Sequence, residues 1–454
     1  MSTIQLYPPP LLPPSRRLTR HLTSASTIPL KATSINYTTT LNNVPDVSTS
    51  DSSTLRELCS RHVPEHVLDR MEENGYTVPT EVQKRALPVL LSGRDCVLHA
   101  QTGSGKTLAY LLSVLSVVNT NRSAVQAVIV VPTRELGMQV TKAARMVISG
   151  FAENPLEQKA CIVMALLDGG ILTRHKSWLK AEPPTIIVAT LGSLFLMLEK
   201  KILKLEALKI LVIDEVDFMF NSSKEVASLR KLLTSYSSIK DRQTILASAS
   251  IPQHRRFLYD CIQQKWTKSD VVHVHVNSLQ PIPSCLHHRF VICNRRERIK
   301  TLLSLLKADA PQSAIIFVSE QSEKSKKAGN ASSSTLVVDS LKASPLGCSG
   351  IVLLEDEMHI NKRTASLLDV RQGGYILVAT DIAARGIDLP ETTHIYNFDL
   401  PKDAVNYLHR AGRTGRKPFS EAKCFVTNIL TSKERFVLQR FENELLFHCA
   451  ELCL

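Results

Sequence analysis

The sequence predicts an α/β protein. Two consecutive parallel sheets, each flanked by helices, leave a cleft between them, and a disordered N-terminal tail precedes both. Three observations carry this expectation. A phosphate-loop pattern, Ala100-Gln101-Thr102-Gly103-Ser104-Gly105-Lys106-Thr107, stands between a short apolar run, Cys96–His99, and a longer one, Leu108–Val118. Short β-branched runs then recur with room for a helix between them, the pattern of strands buried on both faces. Clusters of acid and arginine follow the ends of such runs, where open α/β sheets bind their ligands.

The loop comes first because it nearly defines a ligand. Gly103, Ser104 and Gly105 are small and flexible, so backbone N–H groups can converge on the phosphates of a nucleotide. Lys106 is placed to reach the β and γ phosphates, and the Thr107 hydroxyl to ligate Mg²⁺. Leu108–Val118 reads as a helix whose positive end faces those phosphates. A chance glycine-rich turn would lack the Gly-Lys-Thr ending and the strand and helix on either side.

The strand expectations run in two series. The first is Val128–Val131, Ile186–Ala189, Ile210–Ile213 and Thr244–Ala247. The second is Ala314–Val318, Ile376–Ala379, His394–Tyr396 and Cys424–Val426. Between them, residues 268–284 contain Pro281 and Pro283 and little regular period, and read as a linker. The expected organisation is a tail over 1–50, an entry region over 53–83, a first domain over 84–267, the linker, and a second domain over 285–454. Ser319–Gly350 is rich in Ser, Lys and Gly and reads as a flexible surface segment.

The chain has 454 residues and a formal net charge of +13, a balance that favours a polyanionic partner. Residues 1–50 hold Arg16, Arg17, Arg20 and Lys31 against Asp46 alone, so the remainder keeps +10 and is basic in its own right. The first 45 residues are free of acid, dense in Ser and Thr, and interrupted by Pro8–Pro10, Pro13 and Pro14. That composition marks an organelle transit peptide. Ser, Thr and Pro outweigh Arg, which favours a plastid over a mitochondrion. The 10 cysteines include no C-x-x-C pair. Cys449 and Cys453 have no matching Cys or His pair nearby, so buried reduced thiols are expected rather than a zinc site. No apolar stretch is long enough to cross a bilayer.

Two further motifs carry chemistry. Asp214-Glu215-Val216-Asp217 follows Ile210–Ile213, and acids emerging from an apolar strand are costly unless they hold a cation. Asp214 is assigned to the metal and Glu215 to activation of the attacking water. His409-Arg410-Ala411-Gly412-Arg413-Thr414-Gly415-Arg416 lies in the second series. Arginines spaced by glycine make forks for phosphate, so Arg413 and Arg416 are candidate arginine fingers if the two sheets face each other. A generic basic loop touching nucleic-acid backbone is the plainer reading.

Taken together and in this order, these motifs resemble the DEAD-box ATP-dependent RNA helicases over residues 53–454. Pro79-Thr80-Glu81-Val82-Gln83 resembles their glutamine motif, Pro132-Thr133-Arg134-Glu135-Leu136 their first RNA-contact motif, and Gly169-Gly170 their glycine pair. Ser248-Ala249-Ser250 resembles their Ser-Ala-Thr coupling motif. Ala379-Thr380-Asp381 through Arg385-Gly386-Ile387-Asp388 matches the motif that follows.

The resemblance implies two tandem RecA-like domains, ATP and Mg²⁺ as cofactors, and RNA as partner. It gives Gln83 to the adenine, Asp388 to the ribose, and Thr133, Arg134, Gly169, Gly170, Thr190, Arg363 and Thr380 to RNA. Asp217, Ser248, Ser250, His409 and Arg410 would couple the two ligands. The implied protein is a monomer that clamps RNA, separates short duplexes or remodels ribonucleoproteins, with ribonucleoprotein or ribosome-assembly factors as further partners. The alternative is an ATP-gated RNA clamp with little unwinding. A DNA-directed helicase or a metabolic ATPase is the remaining reading, and Arg134 with the Arg410–Arg416 cluster argues against the metabolic form.

Some positions depart from the family. Val216 replaces Ala, and Ser250 replaces Thr but keeps the hydroxyl. Leu55 stands where an aromatic covers adenine. Leu191 and Ser193 stand in a Thr-Pro-Gly-Arg motif that begins at Thr190, and Ile360 replaces a Gln upstream of Arg363. These changes bear on RNA grip more than on ATP chemistry.

Overall fold

A computed structural model describes residues 54–453, except 102, 150–160, 168–171, 221–222, 237, 251–253, 277–285, 323–326, 330, 345–349, 357, 385–386, 388, 391 and 416–422. The expected tail over 1–50 and the site candidates Thr102, Gly169, Gly170, Asp388 and Arg416 therefore lie outside the described residues. The rest of the body falls in one unit, Ser52–Leu454.

That unit contains two seven-stranded sheets, and every pairing in them is parallel. The first is built from β1 (Cys96–His99), β2 (Ala127–Val131), β3 (Val163–Leu166), β4 (Ile186–Thr190), β5 (Ile210–Ile213), β6 (Gln243–Ser248) and β7 (Val272–His275). Their order across the sheet is β3-β4-β2-β5-β6-β1-β7. The second is built from β8 (Leu286–Ile292), β9 (Ala314–Phe317), β10 (Ile351–Leu354), β11 (Ile376–Ala379), β12 (His394–Asn397), β13 (Cys424–Leu430) and β14 (Cys449–Glu451). Its order is β10-β11-β9-β12-β13-β8-β14.

Helices cover both faces, which is why the central strands are apolar throughout. Along β2, Ile129 and Val131 pack into one cluster with Val140 and Ala144 of the helix Arg134–Ile148, while Val128 and Val130 pack into the opposite one. The second sheet repeats this with Ile315 and Phe317 on one side and Ala314 and Ile316 on the other. Helical connections between parallel strands carry each chain back to the start of the next strand. The phosphate loop after β1, the acids after β5 and the serines after β6 thereby collect beyond the carboxyl ends of the strands.

The strand before the phosphate loop and the eight of the two series are present, with one-residue shifts at some ends and a longer β13. The remaining five among the described residues, β3, β7, β8, β10 and β14, appear only in the structure or were merged into other segments. The segment read as a linker holds β7, which pairs with β1 from Cys96↔Val272 to His99↔His275. Val272 and Val274 alternate there with His273 and His275, and this half-polar edge strand hides its period among polar neighbours.

Ser319–Gly350 is not a flexible surface segment throughout. It contains a helix, Ser333–Ala343, whose N-terminus is capped by the Ser332 side chain accepting from the Thr335 N–H. Val337 and Leu341 of that helix are buried against the second sheet. Of the serines that looked like linker composition, Ser332 is the cap and Ser334 is buried, donating to Glu355.

Cys59, Cys96, Cys161, Cys261, Cys424 and Cys449 are buried free thiols, in line with the expectation. Among the described residues, no helix is long and apolar enough to cross a membrane.

Leu341 distinguishes a packed helix from a surface linker. Its side chain is 1% exposed. Leu341→Ala should lower unfolding stability by about 2–4 kcal/mol in urea titration, whereas a solvated linker residue would leave the curve unmoved.

Candidate active site

The phosphate loop leaves β1 and runs into the helix Lys106–Val117, with Gly105 at the N-cap in a left-handed conformation (φ 96°). Two observations explain why this position must be glycine. The backbone is in a region that L side chains avoid, and an added Cβ would lie 2.7 Å from Gln83 Nε2 and 2.9 Å from Thr80 Oγ1.

Thr80 and Gln83 cap the helix Glu81–Leu91 reciprocally: the Thr80 N–H donates to Gln83 Oε1 at 2.9 Å and the Gln83 N–H to Thr80 Oγ1 at 3.3 Å. The same two side chains hold the loop, through Thr80 Oγ1 to the Ser104 carbonyl (2.8 Å) and Gln83 Nε2 to the Gly105 carbonyl (3.3 Å). Gln83, expected on the adenine, is thus buried with both ends of its amide engaged, and it braces the loop.

Lys106 is buried, and its Nζ donates to the carbonyls of Ala100 (2.5 Å) and Gln101 (2.8 Å). Burial pulls its pKa down against the charges of Glu215, Asp214 and Asp217. Those acids lie just beyond β5. Asp214 Oδ2 accepts from the Tyr110 hydroxyl at 2.9 Å and Oδ1 accepts from the Glu215 N–H at 3.0 Å. Burial first, and then the Glu215 charge, push Asp214 up to about 6, while Lys106 and the two hydrogen bonds oppose the shift. Tyr110 sits one turn after Lys106 on the same helix face. Its own pKa is raised well above the usual value by burial and the Asp214 charge, so it stays a donor.

Glu215 occupies the left-handed region (φ 49°), a conformation that costs a non-glycine residue about 1–3 kcal/mol. Its Oε2 is buried with no hydrogen-bond partner among the described residues. A buried carboxylate oxygen left without a donor, next to a second ionisable carboxylate at Asp214, is a donor set suited to a hard divalent cation.

Asp217 joins the halves of the molecule. Its Oδ2 accepts from Ser250 Oγ at 2.6 Å and from His409 Nε2 at 2.9 Å. Ser250 follows β6 of the first sheet, whereas His409 lies on the helix Ala404–Ala411 of the second. Ligand-capable atoms of Glu215, Asp217 and His409 all lie within 4.8 Å of one another, and all three residues are buried. Ser248 Oγ donates to the Ser250 carbonyl and accepts from the Ser250 N–H at 3.2 Å, which holds the connecting turn.

The other arginine candidates divide. Arg410 stays within the second sheet, bonded to Asp381 Oδ1 (2.6 Å), Asn397 Oδ1 (3.1 Å) and the Asp399 carbonyl (2.7 Å). Arg413 is 3% exposed and its Nη1 donates to the Ile387 carbonyl at 2.6 Å. That bond ties it to its own half. Arg363 does cross: its Nη1 lies 3.2 Å from Glu135 Oε1.

On the first sheet, Thr133 caps the helix that begins at Arg134, which is half-buried. Thr190 ends β4 and donates to Ser193 Oγ at 2.9 Å, so Ser193 substitutes a local hydrogen bond for a cation. Leu191 is buried. Leu55, which stands where the family has an aromatic, is 1% exposed within the core and offers no face for an adenine ring. It opens a helix capped by Thr54, and that cap turns it inward. Sequence reasoning missed Thr80, Tyr110 and Glu135 as site residues. Tyr110 was within reach, since it lies four residues after Lys106 and so on the same helical face.

The comparisons agree with this geometry. The DEAD/DEAH box helicase family matches residues 80–257, and the helicase conserved C-terminal domain matches residues 297–418. "DEAD-box ATP-dependent RNA helicase 58, chloroplastic" of Arabidopsis thaliana is 64% identical over 402 residues, covering 88% of this chain and 84% of the relative. Its Oryza sativa counterpart is 63% identical over 403 residues, covering 89% and 90%. Among solved structures, S. cerevisiae Dbp5 bound to RNA and ADP BeF3 matches with a TM-score of 0.72 at 22% identity, covering 88% of this chain and 96% of that one. Mss116p bound to ssRNA and AMP-PNP matches at 0.75 and 21%, covering 89% and 80%. At those identities the likeness is one of fold, and the fold is the tandem RecA-like pair. With both halves matched and close relatives spanning nearly the whole chain, this protein belongs to the DEAD-box helicase family.

Proposed function

We propose that this chain is an ATP-dependent RNA helicase of the chloroplast that closes its two sheets around ATP and RNA and reopens on hydrolysis. The single observation that supports this best is Asp217. It touches Ser250 on one side and His409 on the other, so the acid next to the hydrolytic carboxylates senses whether the second sheet is in place. The plastid assignment rests on the acid-free tail and on the chloroplastic relatives.

In this reading the N–H groups of Gly103–Lys106 and the positive end of the helix Lys106–Val117 receive the phosphates. Lys106 leaves the carbonyls of Ala100 and Gln101 to meet the β and γ phosphates. Thr107 and Asp214 would hold Mg²⁺, which supplies counter-charge to the phosphates. Glu215 takes the proton of the attacking water at its unengaged Oε2. Gln83 carries the adenine contact through the loop it braces, and Asp388 the ribose. Arg413 and Arg416 provide the fork from the second half; for Arg413 this requires exchanging the Ile387 carbonyl for phosphate oxygen. RNA runs along the carboxyl ends of both sheets, over Thr133, Arg134, Gly169, Gly170 and Thr190 on the first and Arg363 and Thr380 on the second. Sugar 2′-hydroxyls distinguish it from DNA.

Coupling follows from linkage: a closed state that binds both ligands better than the open one makes each raise the affinity of the other. Leu55 in the core and Ser193 without a cation favour one second reading, an ATP-gated clamp that releases no strand. Displacement of a short labelled RNA duplex separates the two. RNA-stimulated hydrolysis with no strand released would leave the clamp, and equal stimulation by single-stranded DNA would remove RNA as the partner.

Lys106→Ala and Glu215→Gln should each lower RNA-stimulated phosphate release by at least about a hundredfold. Glu215→Gln should retain ATP-dependent RNA binding in fluorescence anisotropy, and normal turnover in that variant would overturn the role given to Glu215. Asp214 carries a conflict between stability and function. Its folded-state pKa, raised from 3.8 to about 6, means that ionisation is penalised in the fold. The penalty is absent below the unfolded pKa and complete above the folded one. Without nucleotide, Asp214→Asn should therefore raise stability at pH 7 by about 3 kcal/mol, a gain that shrinks toward zero near pH 4, while abolishing turnover. Urea titrations at the two pH values check the sign.

A further inference from the structure

The second sheet carries a carboxyl pair that nucleotide chemistry does not use. Glu320 follows β9 and Asp356 follows β10, so both stand at carboxyl ends of strands, on the side where the RNA path is proposed. Asp356 Oδ2 accepts from the Thr380 hydroxyl at 3.1 Å, and Asp356 Oδ1 lies 3.8 Å from Arg363 Nη2. The other face of the Arg363 guanidinium is taken by Glu135. Thr380 has a single O–H to donate, and it is committed to a carboxylate. Both groups assigned to RNA phosphate on this sheet are thus held by acids, and the acids themselves face solvent: the Asp356 side chain is 46% exposed and Glu320 is an exposed residue.

The surroundings do not neutralise the pair. Lys402 bears on Glu320 and Arg363 on Asp356, but Asp381 adds like charge to both and is itself bonded by Arg410. Glu355 next door accepts from the Ser334 hydroxyl of the helix Ser333–Ala343. Partial burial and then the Asp356 charge raise Glu320, while burial raises Asp356 against its bonds from Thr380 and Arg363. Two carboxyls in such contact hold one proton between them more readily than two isolated ones would.

We infer that Asp356, whose charge is reinforced by the neighbouring Glu320, makes an autoinhibitory contact that occupies Thr380 and Arg363, and that the second sheet grips RNA phosphate only when this contact is broken. The inference rests on the RNA reading above. Its electrostatic consequence has a definite sign. A phosphate arriving at Thr380 and Arg363 is repelled by the ionised pair and less so by the protonated one, so RNA affinity falls as pH rises through the range where the pair loses its shared proton.

The test uses the full chain, a labelled single-stranded RNA and a non-hydrolysable ATP analogue. The double variant Glu320→Gln/Asp356→Asn should bind RNA about tenfold more tightly at low salt, with the advantage shrinking as salt is added. Its dependence on pH between about 5 and 8 should be flatter than that of the unaltered chain, and ATP turnover at saturating RNA should be unchanged. Glu444→Gln/Glu451→Gln removes the same charge at the opposite edge of the sheet and should shift affinity by less than about twofold. A double variant that binds no better than this control, or worse, overturns the inference. If the double variant fails to melt as a folded protein, Glu320→Gln alone, at an exposed position, must show the same direction. Binding by the unaltered chain with no gain in the variant overturns the contact and leaves the RNA reading; binding gained only in the variant supports both, and binding by neither overturns both.

Discussion

One carboxylate, Asp217, is shared between the two sheets at the place where they meet beside the acids of β5. Asp217 Oδ2 receives a hydrogen bond from Ser250 and another from His409, residues that reach it from opposite halves of the body. Deeply buried carboxylates are tolerated only when donors satisfy them, so separating the halves would expose Asp217 to water or leave it short of a partner. Glu215, two residues earlier, is held in a left-handed backbone conformation and presents an oxygen with no donor. The strained acid and the bridging acid share one short turn after β5. Movement of the second sheet therefore bears directly on the geometry of Glu215.

What the sequence disclosed and what it hid divide along a physical line. Lys106, Asp214, Glu215 and Asp217 were legible because their chemistry is local: a loop or turn directly after an apolar strand places them whatever the rest does. The central strands were legible because burial on both faces leaves runs such as Ile210–Ile213 without polar interruption. The edge strands were not. In β7 and β8, histidines interleave with apolar residues, and β14 spans only Cys449–Glu451, too short to show a period. The helix Ser333–Ala343 was concealed by its own cap, since serine reads as linker until an N-terminus is recognised. Orientation was the hardest to read. Leu55, Gln83 and Arg413 all stand near the site, yet packing turns the first into the core, the second onto the loop and the third onto the Ile387 carbonyl.

The charge of the body also reads differently once the structure is known. A net positive chain attracts polyanions at long range, but the immediate surroundings of the cleft are rich in acid. Asp214, Glu215 and Asp217 gather on one sheet, and Glu320, Asp356 and Asp381 on the other. Long-range attraction and short-range repulsion of this kind make occupancy depend on cations, protons and the competing arginines rather than on overall charge. Arg363, divided between Glu135 and Asp356, is where these influences meet.

The order of strands has a consequence for how the chain is made. β1, which delivers the phosphate loop, is flanked by β6 and β7, so Cys96 aligns with Ile245 on one side and Val272 on the other. During synthesis from the N-terminus, the loop's own strand stays without lateral partners until some 150 to 180 further residues have left the ribosome. The pairings among β2, β3, β4 and β5 can all form earlier. Non-local parallel pairing is slow, and unpaired apolar edges are aggregation-prone while they wait. The nascent chain thus carries its nucleotide loop on the last part of the first sheet to close.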